Sequence, residues 1–279
     1  MRVAFIAVNY NNCRVSINYC TNIQALRGFN DVGVDIVLVD NASNEADYNE
    51  LADEVKDLNN VILLRSETNT GYFGGLNYGI SHIDPEKYDY VIAGNNDLFF
   101  ERDFLLKLKG KNYAARDTVI VPDVETIGGI HQNPQYVEPP TSKRILGMDV
   151  YYSCYAAYIL VGLVWGHKRR ERRNNRKNKT AETLEIFLCT GALMILTPLF
   201  FQHCGKLDDS LFLWGEEAAL AHQLYMAGDK MLYDPELHVS HMENATVSRI
   251  SSHKNYSLHR QSYKKYRDYL IPGKFGVQW

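Results

Sequence analysis

Arg2-Val-Ala-Phe-Ile-Ala-Val8 runs directly into Asn9-Tyr-Asn-Asn12. A short, nearly uninterrupted apolar run of this kind predicts a strand buried on both faces, and the polar cluster behind it marks where the chain leaves the sheet. The arrangement recurs downstream. Asp35 to Val39 ends in Asp40-Asn-Ala-Ser43, Val61 to Leu64 leads to Asn69 to Gly75, and Tyr90 to Ala93 ends in Asn95-Asn-Asp97. Ser16 to Leu26, Tyr48 to Leu58 and Gly71 to Ile83 favour helix. Strands alternating with helices predict an α/β fold with a parallel sheet covered on both faces. The polar clusters then share one sheet edge, where open α/β sheets bind ligands. Asn and Asp also make turns and helix caps. A single cluster is therefore ambiguous; the set on one edge points to a binding crevice.

The middle of the chain changes character. Val150 to Gly166 is a 17-residue stretch without a charge, followed by the strongly basic His167 to Lys179. As one helix it would align Tyr151, Tyr155, Tyr158 and Trp165 on a stripe. Aromatic residues beside a polybasic segment suit the interface of an anionic membrane. An interfacial or re-entrant segment, a buried core helix and a short membrane span are all compatible with the length. The basic run alone also suits a solvated loop. Beyond it, Leu188 to Leu196 predicts a strand and Glu216 to Met226 a helix, with Gly228 as its C-cap. Met231 to Tyr233 predicts a short strand, followed by an Asp234-Pro235 turn. The stretch from Ser248 to Tyr269 is basic and tyrosine-rich. Its Tyr256, Arg260, Tyr263 and Arg267 either share a helix face near the site or pack as a closing helix.

Composition narrows the classes. The 279 residues suffice for one large α/β domain or two small ones. A net charge of −3 excludes the global basic field of nucleic-acid binders. The 19 tyrosines suit ligand grooves, membrane interfaces or an aromatic core. The cysteines (Cys13, Cys20, Cys154, Cys189 and Cys204) are scattered and form no C-x-x-C pair. They suggest neither a disulfide framework nor a zinc site, and favour the cytoplasm. The N-terminal apolar run leads into polar residues without the cleavage site of a signal peptide.

Several groups carry chemistry. Asp97, at the end of an apolar strand, can hold a hard divalent cation through oxygen, although Asn-Asp turns are common without one. Glu216 and Glu217 follow Trp214-Gly215 at a helix start. The helix dipole alone favours carboxylates there, and a carboxylate under an aromatic lid also suits a general base. His241 follows the Met231 to Tyr233 run, with His238 as its competitor. Gly71, Gly74, Gly75 and Gly79 lack the dinucleotide spacing, but let backbone approach a nucleotide closely.

The order of these motifs resembles family 2 glycosyltransferases, in particular the bacterial rhamnosyltransferase-like branch. The resemblance rests on Val8-Asn-Tyr-Asn11, Val39-Asp-Asn-Ala-Ser43, Asn69-x-Gly71 with Asn77-x-Gly79, Asn95-Asn-Asp97, Thr190-Gly-Ala192, Leu213-Trp-Gly-Glu-Glu217 and Pro235-Glu236 followed by His241. It spans about residues 3–246, with 123–187 poorly matched. It implies a GT-A nucleotide-diphospho-sugar transferase fold with a mostly parallel central sheet. The catalytic domain would cover 1–247, with a hydrophobic and basic insert at 149–180 that contacts membrane or acceptor, and 248–279 would form a tail. It also implies a nucleoside-diphosphate sugar donor (dTDP-rhamnose or a UDP-sugar), inversion at the anomeric carbon, and Mg²⁺ or Mn²⁺ held by Asp97 and His241. Asn9, Asp40, Asn69, Gly71, Asn77 and Asn95 would line the nucleotide pocket, with Asp40 on the base. Glu217 stands where the family usually has the Asp of a Glu-Asp pair, which leaves Glu217 or Glu216 as base. Asn95-Asn-Asp97 departs from D-x-D, so a single carboxylate would hold the metal. A glycan or polyprenyl-diphosphate-linked acceptor in cell-surface polysaccharide synthesis fits the basic run, at the cytoplasmic face of the inner membrane.

Two other classes compete. A nucleotidyltransferase would carry a glycine-rich basic loop after the first strand, where this chain has Asn9-Tyr-Asn-Asn-Cys13. A degenerate transferase acting as a membrane or partner binding protein would bind without turnover.

Overall fold

The computed structural model describes residues 1–58, 60–113, 117–163, 181–243 and 252–271. Its centre is a nine-stranded sheet. The first half is built as the alternating pattern requires. β1 (Arg2–Asn9), β2 (Gly33–Asn41), β3 (Val61–Ser66) and β4 (Tyr90–Asn95) are parallel, in the spatial order β3-β2-β1-β4. The chain grows from β1 out to β3, then returns to lay β4 on the other side of β1. In open α/β sheets such a reversal marks the strand ends at which ligands bind. The helices α1 (Cys13–Gln24), α2 (Glu45–Val55) and α3 (Tyr72–Ile80) make the crossovers. Asn44 caps α2 by accepting from the Asp47 N–H at 3.1 Å.

The second half is mixed rather than parallel. Next come β5 (Leu98–Phe100), α4 (Phe104–Lys109), β6 (Asp117–Thr126), α5 (Ser142–Ser153), β7 (Leu184–Ile186) and β8 (Leu193–Leu196). They are followed by α6 (Pro198–Cys204), α7 (Glu216–Ala227), β9 (Lys230–His241) and α8 (Ser252–Tyr266). β8 runs antiparallel to β4 and β6, β6 runs parallel to β9, and β5 and β7 pair antiparallel with β9. The mostly parallel sheet expected of the chain is carried by β1 to β4 and by the β6–β9 pair, and short antiparallel partners join it in the second half. One core layer, with Phe73, Leu76, Met194, Phe200 and Tyr233, fills one face. Another, with Phe5, Tyr19, Ile36, Phe100 and Phe104, fills the other.

Three sequence expectations change. The predicted strand from Leu188 shortens to Leu193–Leu196. The Asp234-Pro235 turn lies inside one continuous strand, β9. Its pairing with β6 shifts register between Pro122 and Asp123, so the extra residues bulge out. The uncharged stretch is not one helix. α5 ends at Ser153, Cys154 is extended, and residues 155–163 form a second helix. Trp165 and the basic run lie outside the described residues. Among those described, no helix is long and apolar enough to cross a membrane.

The tyrosine stripe points inward. Tyr155 and Tyr158 pack against Tyr256 of α8 at ring-centroid distances of 5.4 and 5.1 Å, and Tyr152 stacks on Tyr263 at 4.6 Å. Asp149 is held by Arg267 at 2.6 and 2.7 Å and by the Tyr263 hydroxyl at 2.7 Å, and Arg260 donates to the Tyr152 carbonyl at 2.9 Å. The residues on this face of α8 close down on α5.

Candidate active site

β1, β2 and β4 end side by side, with Asn9 opposite Asp40 and Val8 opposite Asn95. Asn9 and Asp40 are both buried. The Asn9 amide donates to Asp40 Oδ1 at 3.0 Å, Ser43 Oγ at 3.2 Å and Asp47 Oδ2 at 2.8 Å. Its carbonyl oxygen accepts from Ser16 Oγ at 2.9 Å. The other Asp40 oxygen accepts the Ser43 N–H at 3.1 Å and lies 3.8 Å from Arg65 Nε. Arg65 sits over the Tyr48 ring at 4.0 Å. Asn96 Nδ2 donates to Ser16 Oγ at 2.7 Å, so the cluster at the end of β4 is bonded through Ser16 to the one at the end of β1.

The turn before α3 joins this floor. Asn69 Oδ1 accepts from the Gly71 N–H at 3.0 Å and from Asn41 Nδ2 at 3.2 Å. Gly71 has φ of 80°, and a Cβ there would lie 2.5 Å from the Phe212 carbonyl oxygen, so only glycine fits. Asn77 faces elsewhere. Its amide donates to the Leu207 carbonyl at 2.8 Å and Asp209 at 3.1 Å, and its carbonyl accepts the Leu207 N–H at 3.1 Å. It braces the 207–209 loop.

β5 pairs with the end of β9, and Leu98 opposite His241 brings Asp97 to that histidine. His241 Nε2 lies 3.2 Å from Asp97 Oδ1 and 3.4 Å from Asn95 Nδ2. Its Nδ1 is 2.8 Å from Gln132 Oε1, which fixes the ring with Nε2 toward Asp97. The competitor His238 is three residues away on the same strand and turns to the opposite face, where its Nδ1 meets the buried Asp123 at 2.9 Å.

The carboxylate pair stands at the start of α7. Trp214 and Gly215 have φ of 62° and 97°, two consecutive left-handed residues that turn the chain sharply into the helix. Glu216 is buried and Glu217 half-buried. Glu217 Oε1 accepts the Gly191 N–H at 3.3 Å, and the Gly191 carbonyl accepts the Tyr72 hydroxyl at 2.6 Å. Burial, with Glu216, Glu217 and Asp97 close by, pushes the Tyr72 phenol well above its ordinary range. Burial raises Glu217. Burial and then the neighbouring Glu217 push Glu216 up to about 8. The turn itself is clamped by α8. His259 stacks on Trp214 at 3.7 Å, Ser262 Oγ donates to the Leu213 carbonyl at 2.6 Å, and a Cβ on Gly215 would clash with the edge of the Tyr266 ring, 2.1 Å from its Cδ1.

Tyr72, Gln132 and Gly191 gain their places by long-range contact. Tyr72 and Gly191 lie within quoted motifs, but 119 residues separate them. Gln132 carries no local signal.

The arrangement of sheet and helices is the GT-A fold. A crystal structure of GalNAc-T7 with UDP, GalNAc and Mn2+ is similar over 97% of this chain and 49% of that one, with a TM-score of 0.62 at 17% identity. A crystal structure of S. aureus TarS covering 1–349 is similar over 100% of this chain and 76% of that one, with a TM-score of 0.56 at 11% identity. A second structure of S. aureus TarS matches 95% of this chain and 39% of its own, also with a TM-score of 0.56 at 11% identity. The chain thus spans about half of the GalNAc-T7 structure (49%) and less of the second TarS structure. No curated protein matches it in sequence. The profile of glycosyl transferase family 2 matches residues 11–197, and the chain belongs to that family.

Proposed function

We propose that this protein is an inverting glycosyltransferase of the rhamnosyltransferase-like branch. It moves a sugar from dTDP-rhamnose or a UDP-sugar to a hydroxyl of a lipid-linked glycan acceptor in cell-surface polysaccharide synthesis, at the cytoplasmic face of the inner membrane. One observation carries this: Asn95, which meets His241 beside Asp97, donates its N–H to the Ala192 carbonyl, next to the Gly191 whose amide holds the half-buried Glu217, so the Asp97–His241 pair and Glu217 gather at the end of β4.

Asn9, Asp40, Asn69, Gly71 and Asn95 form or border the floor on which the nucleotide lies, with Asn77 supporting the adjacent loop. Asp97 and His241 fit half of a divalent ligand set, because a largely buried carboxylate faces an anchored imidazole nitrogen. Among the described residues no cluster of three His, Cys, Asp or Glu side chains is arranged to hold an ion. The remaining ligands would then be diphosphate oxygens and water. Mg²⁺ or Mn²⁺, if held there, would offset charge on the departing diphosphate; UDP and Mn2+ are present in the GalNAc-T7 structure.

Glu217 removes the proton from the acceptor hydroxyl as its oxygen attacks the anomeric carbon. The bond from that carbon to the diphosphate breaks on the opposite face. Glu217 is preferred over Glu216 because it is the more exposed of the two and is oriented by the Gly191 amide. Gly191 and the α8 clamp limit where the longer glutamate can go.

The test is calorimetric binding of UDP, dTDP and GDP with and without Mn²⁺, then NMR of the product's anomeric configuration. Metal-dependent binding of one diphosphate and an inverted product are expected. Failure of all three to bind would overturn the proposal in favour of a non-catalytic binding protein.

A further inference from the structure

α5 and the helix over 155–163 fold back on each other, with Gly162 beside Tyr151. Their inner sides carry Ile145, Tyr152, Tyr155 and Tyr158 against α8. An outer helix face in water is normally polar. These two are apolar: Leu146 is 64% exposed, Val150 49%, Ile159 42%, Leu160 65% and Leu163 66%. Several large aliphatic side chains on adjacent helices make a patch of the kind that marks an interaction surface.

Charge identifies the occupant. From 141 to 163 the sole acid is Asp149, and Arg267 and Tyr263 hold it on the α8 side. Lys143 and Arg144 are exposed on the first turn of α5, and the sequence after Leu163 places eight Lys and Arg between Lys168 and Lys179. Apolar side chains fringed by cations, with no free carboxylate among them, match an anionic lipid surface, where the aliphatics enter the headgroup boundary and the cations meet the phosphates. A second copy of the same face would bring like charges together.

We propose that the outer face of residues 142–163 docks the protein onto anionic membranes. The proposal extends the lipid-linked acceptor suggested above, but vesicle binding needs neither donor nor acceptor. α8 ties this face to the Leu213–Gly215 turn through Arg260, Ser262 and His259. A docked protein would hold Glu217 at a fixed height over the lipid.

The test is co-sedimentation of the full chain with phosphatidylcholine vesicles, with and without phosphatidylglycerol, for the wild type and the double variant Leu160→Ser, Leu163→Ser. The wild type should bind the anionic vesicles, and less so as salt rises. The double variant should bind at least about tenfold more weakly, with unchanged thermal unfolding, since both side chains are exposed. No binding by the wild type, or equal binding by the double variant, overturns the proposal. So does a sedimentation-velocity shift from dimer to monomer in the double variant, which would assign the face to a second copy. Failure of nucleotide binding in the calorimetric test would count against glycosyl transfer and leave this surface standing.

Discussion

Tyr72 and Glu217 are joined through a single residue: the Gly191 N–H donates to Glu217 and the Gly191 carbonyl accepts from Tyr72. Strand-end turn and helix start are thereby set at one distance across the crevice. Replacing Glu217 by Gln keeps the size and removes the proposed base. Turnover should fall about 10²- to 10⁴-fold with diphosphate binding unchanged by calorimetry. Tyr72→Phe should cost a smaller factor, about tenfold in kcat, by loosening Gly191. Normal turnover in Glu217→Gln would remove Glu217 from the role.

Gln132 acts on the Asp97–His241 pair without belonging to it. Its Oε1 accepts from the His241 Nδ1–H and leaves Nε2 facing Asp97. Gln132→Leu should weaken Mn²⁺-dependent diphosphate binding about tenfold or more, and His241→Ala should abolish the metal dependence. Calorimetric titrations with and without Mn²⁺ measure both, and a Gln132→Leu protein that binds like wild type would reduce the contact to packing.

Glu216 makes stability depend on pH. Its folded-state pKa is raised from 4.5 to about 8 by burial and by Glu217. Below pH 4.5 the group is protonated folded or unfolded and contributes no penalty. As pH rises from there toward about 8, the unfolded chain releases the proton and the folded one retains it, so stability is progressively lost. Urea midpoints across this window should fall less steeply for Glu216→Gln than for wild type. Identical slopes would mean that Glu216 titrates normally.

Gly215 is the most constrained glycine at the site, with φ of 97° and the Tyr266 ring where a Cβ would be. Gly215→Ala should destabilise by about 2 kcal/mol or more and displace α8 from the Trp214 turn. Arg267→Ala, which breaks a partly exposed pair with Asp149, should cost only about 1 kcal/mol. Chemical unfolding of the two variants tests the order, and an equal or reversed ranking would mean that α8 is not seated by Gly215.

Legibility followed the range of the interactions. The strands around Val3–Val8, Ile36–Val39 and Tyr90–Ala93 were plain because burial on both faces leaves a continuous apolar run. β6 was not, because Pro122 interrupts its run and is tolerated only at the register shift with β9. The tyrosines after Val150 were legible as an amphipathic stripe but not as an inward-facing one. Tyrosine suits a lipid interface and an aromatic core equally, and only α8 on that side decides which.

The sequence by itself determined the alternating α/β plan, the polar strand ends on one edge and the glycines that the Gly71 and Gly215 turns require. Those depend on side-chain period and backbone sterics, which are local. The tertiary structure decided which groups meet: His241 rather than His238 beside Asp97, Gln132 behind His241, Gly191 between Tyr72 and Glu217, and leucines rather than tyrosines on the outer face of 142–163. Each depends on strand register or on a helix distant in sequence, and a one-residue change of register would turn a different side chain into the crevice.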